Sequence, residues 1–103
     1  TGWVYLDGAF LPASAAKVSP FDRGYLFAHA AYEVTAVYNG NFVDFDQHLA
    51  RLGRTLDGLE IEHPKIDLRA LHQDMVTRND LTEGLVYIQV TSGMHGPRDY
   101  YGP

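Results

Sequence analysis

The sequence contains no cysteine, so disulfides, thiolate nucleophiles and cysteine-bound metals are excluded. That absence fits a reducing compartment, and the cytoplasm is the expected location. No apolar run approaches the ~18 residues that a membrane-spanning helix requires. The opening Thr1-Gly2-Trp3-Val4-Tyr5 has no basic segment leading into an apolar core, so no signal peptide is legible. Positive charge is scarce: eight Lys and Arg stand against thirteen Asp and Glu, a net charge of -5. With no basic stripe, neither nucleic acid nor an anionic membrane is an expected partner. GxSxG, P-loop and HExxH patterns are also missing. Lysine occurs only at Lys17 and Lys65.

What is present is enough for one domain with a modest core, at 103 residues. "WVYLDGAFL" reads as two short strands turned at Asp7-Gly8, where both turn positions tolerate positive φ. Pro12 to Pro20 is rich in small residues and reads as a loop. "YEVTAVYNGNFVDF" is a second hairpin, turned at Asn39-Gly40. On its first arm Tyr32, Val34, Ala36 and Tyr38 share one face, and Glu33, Thr35 and Val37 the other.

Asp44 and Gln47 have capping-box spacing at the start of a helix, and Gly58 is positioned to end it. Leu49, Leu52, Leu56 and Leu59 recur at core-facing intervals. Asp67 and Asn79 bracket a second helix carrying Leu68, Leu71, Met75 and Val76. Leu85 to Thr91 reads as a strand. Strands grouped before helices predict an α+β fold: an antiparallel sheet with two helices on one face. The other face is left for a second domain or subunit. The ending "MHGPRDYYGP" is rich in Arg, His and Tyr, which raises the expectation that more protein follows.

Chemistry-bearing residues are few. Histidines occur at 29, 48, 63, 72 and 95, in no zinc-site spacing, so no metal is expected. Glu60 with Glu62, and Asp44 with Asp46, read as solvated helix ends rather than catalytic carboxylate pairs. Arg51 lies one helical turn beyond His48, at the edge of the leucine stripe. From there a guanidinium can make paired bonds to a phosphate or carboxylate, an ordinary surface arginine being the alternative. Arg98 follows Gly96-Pro97 beside Tyr100 and Tyr101, a charged fork with neutral donors that suits a carboxylate. Tyr32 adds another hydroxyl from its strand, or is simply a half-buried sheet aromatic.

"DRGYLF" (22–27), "AYEVTAVYNG" (31–40), "HLARL" (48–52), and "LVYIQVTSG" (85–93) followed by Pro97-Arg98 stand in an informative order. With these marks the chain, from about Trp3 to Pro103, resembles the N-terminal small domain of fold-type-IV pyridoxal-phosphate enzymes. D-amino-acid transaminases are the best match within that group. The resemblance implies that Arg51 grips the phosphate of pyridoxal 5'-phosphate, and that Tyr32 and Arg98 hold the substrate carboxylate. It implies a homodimer in which the loop bearing Arg98 faces the neighbouring subunit. Gln89 is expected to support that loop.

Two departures stand out. Ala28-His29-Ala30-Ala31 replaces the family's Gly-Asp-Gly before the tyrosine. Tyr100 occupies the place of the trap histidine, where a phenol still donates but carries no positive charge at neutral pH. His95 or Tyr101 is positioned to compensate.

Neither lysine matches the family's cofactor anchor, which lies in a larger C-terminal domain. The expectation is therefore a small N-terminal domain over 1–103, inactive alone, from an aminotransferase. The resemblance implies amino-group transfer between amino acids, D-amino acids foremost, and 2-oxo acids. The alternatives are an aminodeoxychorismate-lyase-like enzyme of the same family and a noncatalytic domain that binds a protein through its exposed sheet face.

Overall fold

The computed structural model describes residues 2–94. Trp3–Leu6 (β1) and Ala9–Pro12 (β2) form a two-stranded antiparallel sheet. Both turn residues have positive φ, 49° at Asp7 and 92° at Gly8, as that dipeptide predicts. A short 3-10 turn follows at Ala13–Ala15 within the segment expected to be a loop. Arg23–Phe27 then forms a five-residue helix (α1). Asp22 caps it by accepting from the Gly24 amide at 2.8 Å.

Ala30–Tyr38 (β3) is the centre of a three-stranded antiparallel sheet. One neighbour is the short Asn41–Phe42 (β4) and the other is Glu83–Thr91 (β5). The expected turn at Asn39-Gly40 is present, with φ of 52° and 75°. Phe45–Leu59 (α2) packs on β3, and Leu68–Arg78 (α3) touches β1 and β5. The predicted α+β arrangement of antiparallel strands and helices is therefore observed.

The pleat separates the two sheet faces as the sequence pattern requires. Ala31, Glu33, Thr35 and Val37 are buried. Ala31, Leu52, Leu56 and Ile61 form the centre of the core, with Leu59, Leu68, Ile88 and Val90 around it. Leu52 and Leu56 are each 1% exposed, and burial of each stabilises the fold by roughly 1.5–3 kcal/mol. His72 joins the buried set, wedged edge-on against Phe42 and Phe45.

Two helix ends differ from expectation. Asp44 stands at the start of α2 in a left-handed conformation (φ 55°), and its side chain makes no capping bond. A capping residue needs extended backbone to aim its oxygen at the first turn, so the Asp44–Gln47 capping box does not form. At the other end α2 runs through Gly58 to Leu59, and Glu60 takes the left-handed closing position (φ 57°). Asp67 does cap α3 through the Ala70 amide at 3.1 Å. Asn79 closes α3 and also exchanges two hydrogen bonds with the Trp3 backbone, tying the β1–β2 hairpin to the helix.

Candidate functional site

On β3 the side chain of Glu33 points inward, toward α2. His48 and Arg51 are one turn apart on that helix, so both reach the same point. His48 Nδ1 donates to Glu33 Oε1 at 2.7 Å. Arg51 donates from Nε to Oε2 and from Nη2 to Oε1, each at 2.8 Å. A carboxylate that is only 5% exposed therefore receives three charge-assisted or neutral donors.

The Arg51 bond is the largest influence on Glu33. Burial opposes it, His48 assists it, and the net effect lowers the carboxyl from its usual value to about 2. Arg51 is pushed further up, chiefly by its bond to Glu33. Glu33 is thus a fixed anion and Arg51 a fixed cation across physiological pH. The carboxylate only accepts, so His48 carries a proton on Nδ1.

Two of the guanidinium's five N–H groups are committed to Glu33, and the side chain remains 61% exposed. This is the geometry of a braced fork: one edge is held from below, and the other is open to an anion. Tyr32, the preceding residue on β3, starts from the opposite face of the sheet. Among the described residues, β4 pairs with β3 only at Val37 and Tyr38, leaving the β3 edge beside Tyr32 and Glu33 unpaired on that side.

On the outer face Tyr32 stacks on Tyr87, with centroids 5.7 Å apart and planes 20° apart. Tyr87 donates its hydroxyl to Gln89 Oε1 at 2.7 Å, and Gln89 faces Tyr32 across the ladder. Tyr32, Tyr38, Leu85 and Tyr87 are all well exposed there. Gln89 thus acts, among the described residues, on the tyrosine pair. His95, Arg98, Tyr100 and Tyr101, which the sequence singles out, lie outside the described residues.

Sequence reasoning missed Glu33 as a site residue. Its signal was a carboxylate at an inward-facing strand position, which demands a buried partner. It also left His29 unexplained. His29 Nε2 donates to the Leu59 carbonyl at 2.7 Å, and Nδ1 accepts from the Ser92 hydroxyl at 2.6 Å. His63 pairs with Asp57, and His72 Nδ1 donates to the Leu68 carbonyl. Burial pushes the His72 imidazole below its usual pKa.

A cavity of about 630 Å³ lies elsewhere, between β4, the start of α2 and α3. Its cation, Arg69, donates to Asp46 at 2.6 Å and lies over the Phe45 ring.

The donor set fits one end of the implied cofactor. An exposed, braced guanidinium suits a phosphate. Of the two lysines, Lys65 is paired with Glu62 at 3.1 Å and Lys17 lies on the exposed segment before α1.

The family model for amino-transferase class IV matches residues 30–101. A D-alanine aminotransferase of Listeria monocytogenes serotype 4b is 39% identical over 102 residues, covering 97% of this chain and 35% of that protein. The chain thus spans about a third of the length of the curated relatives it matches. The solved 4-amino-4-deoxychorismate lyase of Pseudomonas aeruginosa is 32% identical, with a TM-score of 0.61 over 79% of this chain and 29% of that one. A hypothetical aminotransferase from Mycobacterium tuberculosis shares the fold at a TM-score of 0.70 and 20% identity, over 91% of this chain and 34% of that one.

Proposed function

This chain belongs to the amino-transferase class IV family, and on that premise we propose that it is the orienting domain of a pyridoxal-phosphate-dependent aminotransferase. The reaction moves an amino group between a D-amino acid and a 2-oxo acid. The observation that carries the reading is the Glu33–Arg51 pair, which holds an exposed guanidinium in one plane.

Arg51 holds the cofactor phosphate with the N–H groups that Glu33 leaves open. Tyr32, kept upright by its stack on Tyr87, donates its hydroxyl to the substrate carboxylate. Arg98 supplies the charged half of that grip and Tyr100 a second hydroxyl. Bound pyridoxal phosphate supplies an electron sink for the pair left when the α-proton departs. This chain's share is to fix both anionic ends of the reactants, so that the α-carbon is presented in one orientation. The lysine that anchors the cofactor belongs to a second, larger domain. The complete enzyme is a homodimer in which the Arg98 loop reaches the neighbouring active site. Its substrates are soluble metabolites, which supports a cytoplasmic location. Residues 1–103 are inactive without that second domain.

The likeness to D-alanine aminotransferases over 97% of the chain supports D-amino acids as donors. The 32% identity to a lyase supports pyruvate elimination from aminodeoxychorismate as a second reading. A donor panel on the complete polypeptide separates them. Formation of pyruvate from D-alanine that depends on added 2-oxoglutarate, with L-alanine inert, is the expected result. Pyruvate release from aminodeoxychorismate without a 2-oxo acid would overturn it.

A further inference from the structure

Gln89 and Tyr32 are directly opposed across the β3–β5 ladder, on the sheet face turned away from the core. Opposed residues have β-carbons about 4.5–5.5 Å apart, so their side chains are neighbours. Both are exposed. Tyr87, the diagonal neighbour of Tyr32, ties the two together. Its ring stacks on Tyr32 with centroids 5.7 Å apart, and its hydroxyl donates to Gln89 Oε1 at 2.7 Å.

These bonds decide which polar atoms remain available. A carboxamide has one accepting oxygen and two N–H donors. The Tyr87 hydroxyl engages the oxygen, and the Nε2 donors of Gln89 have no partner among the described residues. The Tyr32 hydroxyl likewise makes no hydrogen bond among them. Turned over, the amide would present its oxygen, and an acceptor repels an anion. Tyr87 therefore selects the donating edge. Along the same face of the ladder, Val34, Ala36 and Leu85 are apolar, and its one carboxylate, Glu83, is opposed to Tyr38 at the far end. Two neutral donors thus stand side by side without an anion beside them. That set matches a carboxylate, each of whose oxygens accepts one bond.

We propose that Gln89 is a substrate contact: its Nε2 and the Tyr32 hydroxyl each bond one oxygen of the substrate carboxylate. The inference rests on the reading of Tyr32 given under Proposed function. Tyr87 is then a positioning residue. It touches no substrate, but one ring holds the Tyr32 phenol in place while its hydroxyl sets the edge that Gln89 presents.

The test uses the complete polypeptide saturated with pyridoxal phosphate. It measures the Kd of propionate, the amine-free counterpart of alanine, by calorimetry. KM and kcat for D-alanine and the Kd of the cofactor are measured on the same preparations. Gln89→Glu keeps an oxygen for the Tyr87 hydroxyl and replaces the N–H donors by an anion. It is expected to weaken propionate binding and raise KM by about a hundredfold, while kcat changes little. Gln89→Met removes donors and acceptor together, is expected to cost about tenfold, and serves should Gln89→Glu fail to fold. Cofactor affinity stays unchanged in both. If Gln89 only supported Tyr87, Gln89→Glu would bind propionate normally, and that result overturns the proposal. So does a folded Gln89→Glu no weaker than Gln89→Met, or a cofactor affinity that falls in step with KM. Tyr32→Phe is run alongside. Unaltered propionate binding in Tyr32→Phe overturns the carboxylate role of Tyr32 itself. Weakened binding there, beside unaltered binding in the folded Gln89 variants, overturns the role of Gln89 alone.

Discussion

Glu33 and Arg51 face each other across the helix–sheet interface through two parallel N–H···O bonds of 2.8 Å. The pair is asymmetric. The carboxylate is 5% exposed and the guanidinium side chain 61% exposed. The acid is therefore the brace and the base is the presented group. His48 completes the brace at 2.7 Å.

Removing the charge of Glu33 while keeping its shape tests the brace. Glu33→Gln leaves one oxygen to accept and places an amide against two donors. A stability loss of about 1–3 kcal/mol is expected, as for other buried hydrogen-bond partners left mismatched. Urea unfolding reads it directly. Arg54→Met, on the exposed side of α2, is the control and should leave the midpoint unchanged.

The pH dependence of stability should fall in two stages on acidification. His72 is buried and held below its usual pKa, so the unfolded chain binds its proton more readily. Stability is full above the ordinary histidine value and declines as pH drops below about 6.5. Glu33 is ionised in the fold down to about 2, from a usual value of 4.5. Its contribution is full above 4.5 and is lost as pH falls toward 2. Thermal melts from pH 8 to pH 2 check both. His72→Asn should flatten the upper stage, and Glu33→Gln the lower one.

Tyr32→Phe keeps the ring that stacks on Tyr87 and removes only the hydroxyl. Because the side chain is 62% exposed, stability should change by less than about 0.5 kcal/mol. KM for the amino donor in the complete enzyme should rise by about tenfold. Steady-state kinetics and a melt on the same preparation separate the two effects.

Two glycines should respond oppositely to alanine. At Gly24 the added carbon overlaps Thr91 and crowds Asp22, and a loss of about 1–3 kcal/mol is expected. At Gly58 nothing lies within 4 Å of the added carbon, and the residue sits within α2. Gly58→Ala should stabilise the fold by roughly 0.5–1 kcal/mol. Denaturation of the two variants side by side checks the sign.

Much of the fold was legible because its cause is local. Asp7-Gly8 and Asn39-Gly40 turn where their tolerance of positive φ predicts. The alternation along β3 separates its faces, Leu52 and Leu56 fill the core, and Asp67 caps its helix. The misreadings have equally physical causes. The spacing of Asp44 and Gln47 fits a capping box, but spacing does not reveal that the Asp44 backbone is left-handed. Gly58 looked like a helix end, yet Glu60 accepts the left-handed position and the helix runs on. Helix α1 is only five residues long and is held by contacts to Thr91, Ser92 and Gly93, far away in sequence. The same holds for the site. Arg51 and Tyr32 were visible as donors in suitable surroundings. Glu33, 18 residues before Arg51, and His29, 63 before Ser92, acquire meaning only once the sheet brings their partners near.

The central claim is that Arg51, braced by Glu33, presents its free edge to the phosphate of pyridoxal phosphate. The most direct measurement is the equilibrium affinity of the complete polypeptide for that cofactor, with native Arg51 and with Arg51→Met, at one fixed ionic strength. The account predicts binding weakened by at least about tenfold, the loss expected when a charge-assisted phosphate contact is removed. Equal affinity in a folded Arg51→Met protein would contradict it.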